Sequence, residues 1–373
     1  VANGRLGIGL VGSGMISEFQ AEAIGDLDNA VVTGFFDMVP ELAAARAEQF
    51  DRKAYGSLAE LLADDAVDIV SICTPSGSHL DPSLAAAAAG KHVMVEKPVE
   101  VTTGRIDEII AACRDNGVTL GAIFPRRFFE TSRLLKAAVD AGRFGTLSLA
   151  DVAIKWFRDQ AYYDQGGWRG TWKLDGGGAL MNQGIHGIDL IQWIMGGIET
   201  VCGQVATVAH ERIEVEDVAT ATVRYKNGAL GVIEGTTAAW PGSKIRIEIS
   251  GSAGNVVMED ETIVQWEFAE PSPEDEEILE KYGPREGLSG GGAADAMPDT
   301  GARPHEAGLL RLDCSKARAA LGWRPALKLD QALDWIVAWH KAVASGADAR
   351  TVTRAQIADY QTATSRLDER SAA

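Results

Sequence analysis

The first 125 residues alternate short apolar runs with longer amphipathic ones. Leu6 to Val11, Ala30 to Phe36, Val67 to Cys73, Lys91 to Val95 and Val118 to Phe124 are short and read as buried strands. Helical stretches separate them. One follows the glycines after Val11 and reaches about Ile24, and a second is opened by Pro40. A third is capped by Ser57 and runs through Leu62, and an alanine-rich one runs from Ser78 or His79 to Ala89. The last starts at Thr102 or Thr103 and ends at Asn116, with Gly117 as a C-cap glycine. Strand–helix units of this length predict a doubly wound parallel sheet, the Rossmann arrangement of an α/β protein, with ligands at the carboxyl ends of the strands.

The period changes after residue 125. Arg126 and Arg127 open a helix reaching about Ala141, and Gly142-Arg143-Phe144-Gly145 ends it. Strand patterns then dominate: Leu147 to Trp156, Thr200 to His210, Val218 to Tyr225, Ala229 to Thr237, Lys244 to Ser250, Asn255 to Met258 and Ile263 to Phe268. Asn227-Gly228 is a hairpin turn. The pattern predicts a second, α+β domain with a large, open, mainly antiparallel sheet. One sheet face can cover a helix around residue 186. The other, carrying Val, Ile and Trp, needs cover of its own and points to a homodimer or homotetramer. The expected divisions are 1–125, 126–270, an acidic then glycine-rich linker or arm over 271–302, and a helical segment over 303–373. Leu327, Leu329, Ala332, Leu333, Ile336, Val337 and His340 keep helical phase in that last segment.

Charge and cysteine content remove several function classes. Net charge is -18, which disfavours nucleic acid or an anionic membrane as partner. Cys73, Cys113, Cys202 and Cys314 are widely spaced, with neither metal-knuckle nor C-x-x-C spacing. They suit a reducing compartment, hence the cytoplasm, and no metal site is expected. The apolar run at Ala85 to Ala89 is too short to span a bilayer.

The candidate chemistry sits at the ends of the predicted strands. Gly12 allows a tight turn, and Gly14 lets backbone approach a pyrophosphate where Met15 and Ile16 start a helix. Ser17 stands where a third glycine is usual. Asp37 ends the next strand, where a carboxylate accepts from a ribose and repels a 2′-phosphate, so NAD is favoured over NADP. Thr74 and Pro75 follow a strand on the same edge, and His79 caps or packs at the next helix start. The strand His92 to Val95 ends in Glu96-Lys97-Pro98, making Lys97 the first catalytic candidate. Farther on, Trp168, Arg169 and Trp172 lie in an aromatic loop suited to a polar ring face, an interface or a core. After Gly176-Gly177-Gly178, helical spacing puts Asn182, His186 and Asp189 on one face. By position alone His186 could equally be a buried histidine supported by Asp189. Arg127 could orient substrate hydroxyls or bridge domains.

Gly12-x-Gly14, Thr74-Pro75, Glu96-Lys97-Pro98 and the run from Gly177 to Asp189 together resemble the Gfo/Idh/MocA oxidoreductase family over about residues 5 to 270. The resemblance implies a nicotinamide domain followed by a domain whose open sheet makes oligomer contacts. It implies that Lys97 lies near the reacting hydroxyl and that His186 is the proton acceptor. Many polyol dehydrogenases of the family carry an aspartate four residues before the histidine, where this chain has Asn182. The implied activity is hydride transfer between NAD and a secondary hydroxyl of a sugar, polyol or nucleotide-sugar, with Asn182 and Arg127 holding other hydroxyls. Two other readings fit the same residues. One is a sugar reductase or sugar–sugar oxidoreductase that recycles a tightly held cofactor. The other is a non-enzymatic sugar sensor or scaffold. Residues 303 to 360, with Leu321-Gly322-Trp323-Arg324-Pro325, resemble instead the C-terminal end of CDP-glucose 4,6-dehydratase, without its Tyr-x-x-x-Lys centre.

Overall fold

A computed structural model describes residues 4–165, 167–284 and 329–371. The first sheet contains β1 (Leu6–Val11), β2 (Ala30–Phe36), β3 (Lys53–Ala54), β4 (Ile69–Ile72), β5 (His92–Val95) and β6 (Leu120–Ala122). Their spatial order is β3-β2-β1-β4-β5-β6, and every pair is parallel. The helices of this half are α1 (Met15–Gly25), α2 (Pro40–Phe50), α3 (Leu58–Ala63), α4 (Leu80–Ala88) and α5 (Thr103–Asp115). Helices over both sheet faces explain why its strands are nearly continuously apolar. One apolar cluster gathers Leu61, Val70, Ile72, Val93, Val95 and Ile109, and another gathers Leu10, Ile24, Val32 and Phe35. The order reverses between β1 and β4, which puts the ligand crevice over the ends of those strands.

The second sheet contains β7 (Leu147–Lys155), β8 (Ile198–Ala206), β9 (Val218–Tyr225), β10 (Leu230–Thr236), β11 (Arg246–Gly251), β12 (Gly254–Glu259) and β13 (Thr262–Phe268). The order is β13-β12-β11-β7-β10-β9-β8, antiparallel except for β7 with β10. Its helices are α6 (Glu130–Asp140), α7 (Gln160–Asp164), α8 (Ile185–Met195) and α9 (Pro273–Tyr282). Leu190, Ile191, Ile194 and Met195 of α8 share a core with Val152, Ile154, Ile247 and Ile249 of the sheet. That burial seats the helix carrying His186 on one sheet face. On the other face, Leu149, Leu230, Val232 and Val264 are exposed, and on the edge strand β8 so are Val201 and Val205, in register with Val223 and Ala219.

Several local expectations change. The helix expected from Arg126 is broken into a 3₁₀ turn, Pro125–Phe128, and α6, because Phe129 between them is extended. Part of the acidic stretch after Glu270 is not an arm. Ser272 and Asp275 form a capping box that starts α9, and Asp275 is pinned by Arg143 and by the Trp266 indole. In the tail, α10 (Leu329–Ala344) and α11 (Ala349–Ser371) form a hairpin. Trp339 Nε1 donates to Thr353 Oγ1 at 2.9 Å, and Gln356 donates to the Trp335 carbonyl at 2.8 Å. Of the stretch expected to resemble the dehydratase end, residues 303 to 328, and with them Cys314, lie outside the described residues. Among those described, no helix is long and apolar enough to cross a membrane.

Candidate active site

The glycine loop leaves β1 with Gly12 at a φ of 92°. A Cβ there would lie 2.8 Å from the Cys73 carbonyl carbon and oxygen, so only glycine fits against β4. Gly14 is the N-cap of α1 and supplies no side-chain cap, and a Cβ on it would meet nothing within 4 Å. The first turn of α1 thus faces open space with uncapped amides, a cradle for a phosphate. Met15 and Ile16 are exposed beside it. Ser13 Oγ is buried without a partner among the described residues, so a polar ligand atom would complete it. Asp37 lies at the same loop, accepting from Ser13 N at 2.7 Å and Val39 N at 2.9 Å. These features fit a dinucleotide. Ser17 is fully buried, as a third-glycine substitute must be where helix packs on strand.

Thr74 and Pro75 enter a 3₁₀ turn, Ser76–Ser78, at the end of β4. His79 does not face the cleft. Its ring is buried, with Nε2 2.9 Å from the Thr74 carbonyl and Nδ1 3.0 Å from that of Pro98. It braces the Thr74 loop against the chain just after Lys97. Glu96 is similarly committed: it accepts from Gln20 of α1 at 2.7 Å, and Gln20 accepts from Ser71 of β4. Both residues hold the cofactor-side frame in place rather than reach into the cleft.

Lys97 bridges the two halves. Its Nζ donates to the Asn182 backbone oxygen at 3.0 Å and to Asn182 Oδ1 at 3.2 Å. An ammonium has three hydrogens, so one remains for a ligand oxygen. Burial holds Lys97 below the usual lysine range, opposed by Glu96 and Asp175, while Arg158 adds to the depression. His186 lies in the same field. Burial first, then the charges of Lys97 and Arg126, lowers it to about 3, so the imidazole is neutral and able to accept a proton. Its Nδ1 is buried without a hydrogen-bond partner among the described residues, and Trp156 packs on the ring at 5.8 Å.

The segment bearing these groups is not a uniform α-helix. Ala179–Gly184 is a π turn that runs into α8, so Asn182 and His186 are related by a wider turn than ideal helical spacing implies. Glu216 anchors the turn by accepting from Gly178 N at 2.9 Å and Leu180 N at 3.0 Å. A Cβ on Gly178 would lie 1.7 Å from the Glu216 carbonyl oxygen, which explains that glycine.

Other expected substrate contacts are committed within the protein. Arg127 Nε donates to Asp189 at 2.8 Å and its Nη2 to the other carboxylate oxygen, so the two residues form a bidentate pair that joins the 3₁₀ turn to α8. Trp172 is largely exposed, and its amide donates to Glu214. Arg169 stacks on Tyr162 at 4.6 Å and on Trp168 at 5.1 Å. The residue pattern does not single out Arg158, Asp175 or Gln183. Arg158 also lies near the Tyr162 ring at 5.3 Å, and Gln183 donates to the Tyr162 hydroxyl at 2.9 Å. Asp175 is buried, accepting from Asn182 Nδ2 at 3.0 Å and Gly170 N at 2.8 Å. An acid immediately before three glycines was the available signal. Among the described residues, no cluster suits a metal ion.

Residues 6–124 match an oxidoreductase family with an NAD-binding Rossmann fold, and residues 132–257 match the GFO/IDH/MocA C-terminal domain. Myo-inositol 2-dehydrogenase of Thermotoga maritima is 32% identical over 67% of this chain and 74% of that enzyme. Levoglucosan dehydrogenase of Pseudarthrobacter phenanthrenivorans is 26% identical over 68% of this chain and 73% of that enzyme. Among solved structures, the WlbA dehydrogenase of Bordetella pertussis in complex with NADH and UDP-GlcNAcA is similar, with TM-score 0.72 and 36% identity, covering 75% of this chain and 82% of that one. A glycine cradle suited to NAD, a buried lysine and a neutral histidine therefore stand in a known setting: the chain belongs to the Gfo/Idh/MocA family and is an NAD-binding oxidoreductase of sugar, polyol or nucleotide-sugar hydroxyl and carbonyl groups.

Proposed function

We propose that this enzyme oxidises a secondary hydroxyl of a nucleotide-linked sugar, with Lys97 and His186 as its catalytic pair. The observation that carries the reading is Lys97 Nζ held on Asn182 with one hydrogen left over, in the same buried field as the neutral His186. His186 takes the hydroxyl proton as general base. Lys97 donates a hydrogen bond to the oxygen as negative charge develops there. NAD, when bound, would supply the two-electron acceptor that takes the carbon-bound hydrogen as hydride. The uncapped start of α1 holds the pyrophosphate, and Asp37 accepts from the ribose.

Two observations favour a nucleotide-linked, anionic sugar over a free polyol. Arg158 and Arg169 both lie against Tyr162 and, among the described residues, make no ion pair, although the chain as a whole carries -18. The similar WlbA structure contains UDP-GlcNAcA. The tail's resemblance to the end of a nucleotide-sugar dehydratase supports the same substrate class. The exposed apolar face of the second sheet supports assembly as a homodimer or homotetramer. The free thiols of Cys73 and Cys113 suit a reducing compartment such as the cytoplasm.

The test is a panel of free inositols, neutral and acidic pyranoses, and their uridine diphosphate derivatives, followed at the NADH absorbance. Turnover confined to nucleotide-linked sugars supports the proposal. Equal or better turnover of free inositol contradicts the substrate class. Ligand binding with no NADH formed from any of them contradicts the enzymatic reading.

A further inference from the structure

Asn182 stands between two buried charges, and their chemistry dictates which way its amide points. Lys97 Nζ can only donate, and it meets Asn182 Oδ1 at 3.2 Å. Asp175 as a carboxylate can only accept, and its Oδ1 takes Asn182 Nδ2 at 3.0 Å. Reversing the amide would face ammonium with N–H and carboxylate with carbonyl. The other carboxylate oxygen of Asp175 is occupied by Gly170 N at 2.8 Å, so the acid itself is locked in place. Asp175 is 2% exposed and, among the described residues, has no direct ion-pair partner. A buried carboxylate without a direct counterion is costly unless its charge acts at one remove.

We infer that Asp175 is a positioning residue for Lys97: through Asn182 it fixes the direction of the lysine ammonium and adds a second negative charge, beside that of Glu96, to its surroundings. The inference rests on Lys97 being the hydroxyl-facing cation of the proposed function. Charge effects agree with the geometry. Asp175 is raised by burial and lowered by its hydrogen bonds from Gly170 and Asn182 and then by the charges of Lys97 and Arg169, while Lys97 is lowered by burial and raised by Glu96 and Asp175. The charged groups acting on Lys97 are Glu96, Asp175 and Arg158, and Lys97 in turn acts on His186. Glu96 is already bound to Gln20, so Asp175 is the acid that reaches Lys97 through the substrate-side helix.

The same hydrogen-bond logic predicts what a charge swap does. In Asp175→Asn, residue 175 must turn its oxygen to Gly170 N, which aims its NH₂ at the NH₂ of Asn182. Relieving that clash by flipping Asn182 aims the amide NH₂ at Lys97. Either way one contact is frustrated. In the double variant Asp175→Asn with Asn182→Asp, every donor meets an acceptor again: Gly170 N on the amide oxygen, the amide NH₂ on the new carboxylate, and that carboxylate on Lys97.

The experiment is an NMR titration of 15Nζ-labelled lysine in the cofactor-free protein, with the Lys97 signal assigned by its loss in Lys97→Met. In Asp175→Asn the Lys97 midpoint should move to lower pH by about one unit, an ordinary size for losing one nearby charge. In the double variant it should return to or above the wild-type value, and the alkaline limb of kcat/KM should follow the same order. An unmoved midpoint in Asp175→Asn, or a double variant that stays at the single variant's value, overturns the inference. Should Asp175→Asn not fold, the double variant decides: a midpoint below wild type counts against it. Because the titration needs no substrate, it separates this inference from the proposed activity. A wild-type protein that turns over no sugar defeats the activity even where Lys97 titrates as expected.

Discussion

The two sides of the cleft are built on opposite principles. On the cofactor side, the polar groups offered to a ligand are backbone amides at an uncapped helix start, with open space around Gly14. On the substrate side, the side chains are already joined to one another: Lys97 to Asn182, Asn182 to Asp175, Gln183 to Tyr162, Arg127 to Asp189. A backbone cradle accepts any pyrophosphate that reaches it and tolerates change in neighbouring side chains. A wired cluster sets charge and proton positions before substrate arrives, which is where electrostatic catalysis gains most. It also means that single substitutions there disturb several contacts at once.

The largest effect expected from breaking the wired side is at His186. His186→Ala should lower kcat for oxidation by about 10²–10⁴-fold, the usual range for a lost general base, with NAD affinity unchanged in direct titration. Because His186 is lowered to about 3, the wild-type kcat/KM profile should show no limb at the ordinary histidine pKa and fall only in more acidic solution. A limb near neutral pH that vanishes in His186→Ala would contradict the buried, neutral imidazole. Next comes the anchor of the π turn. Gly178→Ala forces a methyl into the Glu216 carbonyl and should cost about 1–3 kcal/mol of stability by chemical denaturation, as overpacking does.

Gly14→Ala is the matching change on the open side, and there the new methyl meets no protein atom. Its melting temperature should stay within about 2 °C of wild type, a stability change of a few tenths of a kcal/mol. NAD should nevertheless bind about tenfold more weakly by calorimetry, since the methyl stands where the pyrophosphate approaches. Weak binding in Gly178→Ala with normal binding in Gly14→Ala would reverse the comparison. The smallest effect lies away from the cleft. Arg143 holds Asp275 down to about 2, so this pair stabilises α9 above the ordinary aspartate range and loses that contribution as pH falls through about 2. Arg143→Ala should therefore lower the thermal midpoint at neutral pH, and the gap to wild type should close in strong acid.

The cofactor side was largely legible in the sequence, because backbone geometry leaves marks in residue type. Gly12 at positive φ, a glycine N-cap and an acid at the end of β2 are local requirements met by local residues. The alternating pattern also gave the parallel sheet, and its period change located the second one. Much less of the substrate side was legible. Arg127 and Asp189 pair over 62 positions, and no spacing rule reveals that they satisfy each other. The π turn is held by Glu216, which approaches from the connection before β9. His79 has the composition of a site residue and the contacts of a brace. The acidic stretch after Glu270 looked solvated because its helix is anchored by two residues distant in the chain or already assigned to a strand, Arg143 and Trp266.

The most direct test of the account is Lys97→Met, measured for both NAD affinity and single-turnover hydride transfer from the best nucleotide-sugar. The substitution keeps an unbranched side chain, one atom shorter, and removes its charge and donors. The account predicts NAD affinity within about twofold of wild type and a hydride-transfer rate lower by about 10³-fold, the scale of losing a charged donor at a developing oxyanion. Hydride transfer at the wild-type rate would contradict it.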